Sequence, residues 1–92
     1  MSVKSYIESN QDRFLKELFS LIRIPSISAK QEHKADMLAC AQQWTEVLLS
    51  SGADKAVVMP TTGNPIVYAE KIISTTAPTV LVYAHYDVMP SE

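Results

Sequence analysis

The chain has little that would tie it to a specialised structural class: 92 residues contain two glycines, one cysteine and no long apolar run. A single cysteine excludes an intramolecular disulfide and fits a reducing compartment, and two glycines exclude collagen-like repeats. The longest uninterrupted apolar stretch, residues 80–84, is far short of the roughly 20 residues that cross a bilayer. No secretory signal pattern precedes the first charged segment. We therefore expect a cytoplasmic protein that does not bind membranes.

Neither sign of charge dominates, since 8 Lys and Arg are set against 10 Asp and Glu, for a formal net charge of -2. Nucleic-acid binding requires a basic face that neutralises phosphates, so we expect no nucleic-acid partner. A hydrophobic fraction of 47% excludes a disordered chain. The composition predicts one small globular domain with marginal stability, because small domains bury only a modest share of their unfolded surface.

Apolar residues recur at three- and four-residue steps in two segments, which predicts two amphipathic helices. The first begins near Ser2 or Ser5 and ends before Pro25, whose ring disfavours helical geometry at the residue before it. The second begins near residue 30 and ends at Gly52, which lacks a Cβ and readily takes the left-handed conformation that closes helices.

From residue 54 the apolar period shortens to two, and strands are predicted at residues 55–59, 65–72 and 79–85. The third is apolar on both faces, as strands in the middle of a covered α/β sheet are. The sequence predicts an α/β fold with two N-terminal helices packed on a mixed sheet of about three strands. Because two helices and three strands hardly cover both faces of such a sheet, we interpret the chain as an incomplete part of a larger domain.

The polar pair His85 and Asp87 directly follows the third predicted strand. Alternation along an extended backbone places the two side chains on the same side. Ligands of open α/β sheets bind beyond the carboxyl ends of the strands, which is where this pair falls. Ionisable pairs that end an apolar strand are typical of functional sites, because burial of their charge is costly. The alternative is a histidine at the rim of the core that bonds to Asp87 and binds no metal.

Three segments, in order along the chain, resemble the M20 metallopeptidases, particularly their carnosinase-like dipeptidase branch. They are LIRIPSIS at residues 21–28, GNPIVYAE at 63–70 and VLVYAHYDVMP at 80–90. The resemblance implies that residues 1–92 are the N-terminal segment of a metallopeptidase catalytic domain with two metal ions, Zn2+ or in some members Mn2+. It further implies hydrolysis of an amide bond in a dipeptide or an acylated amino acid. His85 would bind one metal, and Asp87, as the catalytic-site carboxylate, would hold that histidine in position.

Two departures from the family pattern limit what these residues do alone. Ala84 stands where the family usually has glycine before the histidine. The bridging aspartate, the general-base glutamate, the remaining ligands and the lid domain of many relatives have no counterpart in residues 1–92. Because a catalytic zinc takes three protein ligands, we expect these residues alone to be inactive.

Other polar residues receive simpler interpretations. His33, Asp36 and Cys40 are spaced along one helical stripe that would suit a metal, although mixed residues at the edge of an amphipathic helix are routine. Ser26 and Ser28 lie in the loop after the first helix, where we expect their hydroxyls to bond to the local backbone.

The alternative to an enzyme is a stand-alone interaction module. It would use an exposed sheet face to bind a partner or a second copy of the chain. Under either interpretation the apolar surface left uncovered predicts self-association, such as a homodimer.

Overall fold

The structure, a computed structural model, describes residues 2–90, in which helices come first and a hairpin follows. In chain order the elements are α1 (Val3–Ser9), α2 (Gln11–Ile22), a short 3-10 helix (Gln31–His33), α3 (Lys34–Ser50), β1 (Lys55–Met59) and β2 (Ile66–Glu70). The described chain is therefore mixed α/β, as predicted. Its sheet, however, has two antiparallel strands, so the prediction of a mixed sheet with about three strands was wrong.

The first predicted helix is interrupted at Asn10. The backbone of Asn10 leaves helical geometry with ψ 13°, and its side-chain amide donates to the carbonyl of Tyr6 at 2.8 Å. Ser2 caps the start of α1, where its hydroxyl accepts from the Ser5 backbone N–H at 3.1 Å. Apolar periodicity did not reveal the break, because the Asn10 side chain bonds to the local backbone without disturbing the period of the apolar residues.

The second helix forms largely as predicted and supplies most of the core. Gly52 follows α3 with φ 111°, the left-handed conformation expected at a helix end. Met37, Cys40 and Ala41 of α3 are buried, and Ala56 of β1 is buried with them. In the described chain α3 makes the main helix contacts with the hairpin, while α2 lies against α3. Of the two predicted N-terminal helices, the second thus makes the main contact with the sheet.

The hairpin of β1 and β2 positions the loop that later meets the candidate site. Its register pairs Lys55 with Glu70 at the open end and Met59 with Ile66 beside the connecting loop. β1 has the predicted bounds, and β2 is shorter than predicted at both ends. Beyond the last pair, Asp54 N–H donates to the Glu70 carbonyl at 2.9 Å.

Residues 79–85, predicted as a buried central strand, form no strand and are exposed to solvent. Val80, Leu81, Val82 and Tyr83 are 84%, 90%, 84% and 87% exposed. β1 and β2 pair only with each other, so in the described chain no strand edge is bonded to this segment. The prediction failed because apolar, β-branched composition favours a strand only where a neighbouring backbone completes its hydrogen bonds.

The described elements enclose only a small core. The radius of gyration is 15.3 Å, whereas a closely packed domain of this length has about 12 Å. Among residues 2–90 no helix has both the length and the hydropathy needed to span a membrane.

Candidate metal centre

The segment that carries His85 and Asp87 is anchored to the loop after α2. Ile27 and Val88 form an isolated parallel bridge, and Val88 N–H donates to the Ser26 carbonyl at 2.9 Å. The Ser26 hydroxyl donates to the carbonyl of Tyr86 at 3.0 Å, and Ser26 is only 1% exposed. These bonds hold residues 86–88 in place, although residues 79–85 have no such attachment among the described residues.

The two site residues predicted from the sequence come together. Nδ1 of His85 lies 2.8 Å from Oδ1 of Asp87. An ionised carboxylate only accepts hydrogen bonds, so the imidazole donates through Nδ1 and keeps Nε2 available. The other carboxylate oxygen of Asp87, Oδ2, accepts from the Ser28 hydroxyl at 2.5 Å. The result is a chain of three side chains that runs from Ser28 through Asp87 to His85.

The ionised form of Asp87 is favoured by these neighbours. The Ser28 hydroxyl, and next the His85 imidazole, lower the pKa of the Asp87 carboxyl below its ordinary value. A lowered pKa keeps the carboxylate charged through neutral pH. Asp87 therefore accepts from both partners in the pH range where an imidazole can bind a metal.

Tyr86, between the two site residues, joins the site to the hairpin loop. Its phenol donates to the Pro65 carbonyl at 2.5 Å. Burial, and then the nearby Cys40 and Asp87, raise the pKa of Tyr86, so the phenol stays protonated as a donor. A shallow cleft of about 240 Å³ opens here, lined by Ser28, Met37, Asn64, Pro65, Tyr86 and Asp87.

The donor atoms fit one metal ligand together with its support. Metal-binding histidines commonly donate their second ring nitrogen to a carboxylate, which fixes the tautomer and leaves the first nitrogen to bind the metal. The His85 side chain is 78% exposed and thus accessible. Within residues 2–90, no three His, Cys, Asp or Glu side chains are grouped so as to hold a metal. Among these residues, His85 and Asp87 form a pair that no third such side chain joins.

The second spacing singled out in the sequence gives a pair and not a triad. Nδ1 of His33 lies 2.8 Å from Oδ2 of Asp36 at the start of α3. Cys40 is buried, and its thiol contacts the Tyr86 carbonyl at 3.9 Å. Burial raises the pKa of the Cys40 thiol, and the Ser26 hydroxyl opposes that shift. Cys40 is accordingly a small buried residue of the core.

We expect Cys40 to react slowly with a disulfide reagent in the folded chain. The thiolate is the reactive form, and both burial and the raised pKa suppress it. Labelling at pH 8 should be about tenfold slower, or more, than in urea-unfolded chain, since each 1.4 kcal/mol of opening free energy is a factor of ten. Glutathione under the same two conditions controls for the effect of urea on the reagent. Equal rates in folded and unfolded chain would contradict the buried position.

Ser28 is the site residue that the sequence did not reveal. Both loop serines were expected to bond to local backbone, yet Ser26 reaches the carbonyl of Tyr86 and Ser28 reaches the carboxylate of Asp87. These partners lie about sixty positions away in the chain, and no periodic pattern connects them. Their only sequence signal is that two hydroxyls follow the proline that ends the first helical region.

Comparisons with protein-family models, with curated proteins and with solved structures found no match to this chain.

Proposed function

We propose that the chain provides the first metal-ligand segment of a two-metal amide hydrolase of the M20 type. His85 would bind one metal through Nε2, and Asp87 would hold the ring by accepting from Nδ1. The observation that supports this most is the 2.8 Å bond between Nδ1 of His85 and Oδ1 of Asp87, on an exposed side chain. The remaining ligands and the general base would come from outside residues 1–92.

In such a site the metal ions would polarise the scissile carbonyl and lower the pKa of bound water. Imidazole and carboxylate donors suit both Zn2+ and Mn2+. The substrate class, a dipeptide or an acylated amino acid, rests on the resemblance of the three sequence segments. A cytoplasmic location is part of the proposal and is supported by the single, unpaired Cys40.

Residues 1–92 alone should hydrolyse no dipeptide faster than their His85→Ala variant.

Titration of the purified chain with Zn2+, followed by the ring signals of each histidine, tests this proposal. We expect His85 to respond first, because its side chain is 78% exposed and that of His33 is 26% exposed. His85→Ala should remove the binding, and Asp87→Ala should weaken it about tenfold, since the supporting carboxylate tunes a histidine ligand.

The matched control is His33→Ala, which removes the other histidine of a His–Asp pair in the same chain. This variant should keep the zinc affinity of the unmodified chain. The proposal fails if His33→Ala abolishes binding, or if Asp87→Ala binds zinc as tightly as the unmodified chain does. Either result would mean that the pair at His85 has no special role in holding a metal.

A second candidate function, self-association through residues 79–85, is favoured by the exposure of that segment. Val80, Leu81, Val82 and Tyr83 form a continuous apolar stretch, each at least 84% exposed. The stretch carries no formal charge, and uncharged, apolar strand-like segments with free backbone groups pair readily with another chain. We propose a second copy of this chain as the occupant.

The segment is complementary to itself in one antiparallel register. With Val82 on the two-fold axis, Val82 faces its own copy, Leu81 faces Tyr83, and Val80 faces Ala84. Aromatic and branched side chains in directly opposed positions stabilise such pairs. No pair of like charges is opposed within residues 79–85, so this register has no electrostatic cost.

A further inference from the structure

Ser28 makes a short side-chain contact in the candidate metal centre, since its hydroxyl donates to Oδ2 of Asp87 at 2.5 Å. We infer that Ser28 is a positioning residue for His85, acting through Asp87. By occupying Oδ2, the hydroxyl fixes the rotation of the carboxylate and holds Oδ1 against Nδ1 of the imidazole. This role rests on the proposed function of His85 as a metal ligand.

The two segments that carry Ser28 and Asp87 are held together independently of that contact. The bridge between Ile27 and Val88 lies one residue before Ser28 and one residue after Asp87. Val88 N–H donates to the carbonyl of the buried Ser26 at 2.9 Å. The backbone therefore sets the distance between the hydroxyl and the carboxylate, and the serine acts from a fixed position.

Among residues 2–90, no backbone hydrogen bond of this kind supports His85. Its side chain is 78% exposed, whereas that of Asp87 is 38% exposed. The bond to Asp87 is the interaction that orients the ring. If the carboxylate rotates, the imidazole therefore rotates with it. Hydrogen bonds to an ionised acceptor are the strong ones, which suits Ser28 for restraining this carboxylate.

The chemical consequence concerns which ring nitrogen carries the proton. The bond that one nitrogen makes decides the tautomer, and a fixed Asp87 favours the proton on Nδ1. Nε2 then keeps its lone pair for a metal. Loss of the Ser28 hydroxyl would free Asp87 to turn toward water and reduce the population of this tautomer.

Nitrogen-resolved NMR of the His85 ring in the full chain, at a pH where the imidazole is neutral, measures the tautomer ratio without any metal. We expect Ser28→Ala to lower the ratio of Nδ1–H to Nε2–H forms severalfold, and to weaken zinc binding at His85 about tenfold. Ser28→Thr keeps the hydroxyl and should restore both values. Ser20→Ala removes a hydroxyl that bonds to the Glu17 carbonyl on α2 and serves as the matched control.

The inference is overturned if Ser28→Ala gives the same tautomer ratio as Ser20→Ala, or if Ser28→Thr behaves like Ser28→Ala. Backbone amide spectra report whether each variant folds. Should Ser28→Ala not fold, Ser28→Val takes its place with the same expectation, because valine fills the position without a hydroxyl donor.

The two readouts separate this inference from the proposed function. A tautomer ratio that falls in Ser28→Ala, in a chain that binds no zinc, supports the positioning role and contradicts the metal site. Zinc binding at His85 with an unchanged tautomer ratio and affinity in Ser28→Ala supports the metal site and contradicts the positioning role.

Discussion

Replacing Met37 with alanine is expected to lower the free energy of unfolding by about 2–5 kcal/mol, the usual cost of emptying a buried methionine position. Met37 is 3% exposed, and few other apolar side chains in the described chain are buried to that degree. Its side chain also lines the cleft beside Ser28 and Asp87. Because small domains have little stability to lose, a change of this size should leave much of the protein unfolded.

Urea denaturation followed by circular dichroism measures the effect, at protein concentrations low enough to prevent self-association. Met89→Ala is the matched control, since Met89 is 86% exposed and surface substitutions usually change stability by less than about 0.5 kcal/mol. A Met37→Ala chain that unfolds at the same urea concentration as the Met89→Ala chain would show that α3 does not hold the core.

The elements whose bounds depend on residues nearby in the sequence were predictable. β1 has its predicted bounds, because alternation begins after Gly52 and ends at the proline that follows Met59. α3 ends at Ser50, and its end was predictable from Gly52 two residues later, whose left-handed φ of 111° glycine accepts. Both features depend on residues that are close together in the sequence, so they can be predicted from the sequence alone.

The third predicted strand depends on a partner that sequence patterns do not specify. Residues 79–85 have the composition of a buried strand, yet β1 and β2 are paired with each other. Strand propensity measures how well side chains fit a sheet that already exists. Predicting the strand therefore required knowledge of which backbone lies beside it.

In the candidate site, too, contacts between residues close in sequence were predictable and contacts between distant residues were not. His85 and Asp87 lie two positions apart, and their convergence at 2.8 Å was predictable from strand alternation. The contact of Ser28 with Asp87 joins positions 59 residues apart and follows from the bridge between Ile27 and Val88. The spacing of His85 and Asp87 in the sequence was enough to predict their contact. The contact between Ser28 and Asp87 becomes visible only in the folded structure.

Val82→Lys is expected to weaken self-association about a hundredfold or more, because two buried valines lose about 1.5–3 kcal/mol each and 1.4 kcal/mol is a tenfold change. The unmodified chain should show concentration-dependent dimers in sedimentation velocity. Burial of two apolar side chains per copy contributes about 6–12 kcal/mol, against an association cost of about 4–15 kcal/mol. The dimer is thus expected to be weak, and the loss of one valine per copy should dissociate it.

A charge-complementation experiment tests the register as well as the surface. Val82 faces its own copy, so Val82→Lys and Val82→Glu chains should each be monomeric, since like charges are then directly opposed. An equimolar mixture should form dimers again, because a lysine then faces a glutamate. Val3→Lys, at a valine 78% exposed on α1, is the matched control and should associate like the unmodified chain. Dimers of Val82→Lys alone, or a mixture that stays monomeric, would exclude antiparallel pairing about Val82.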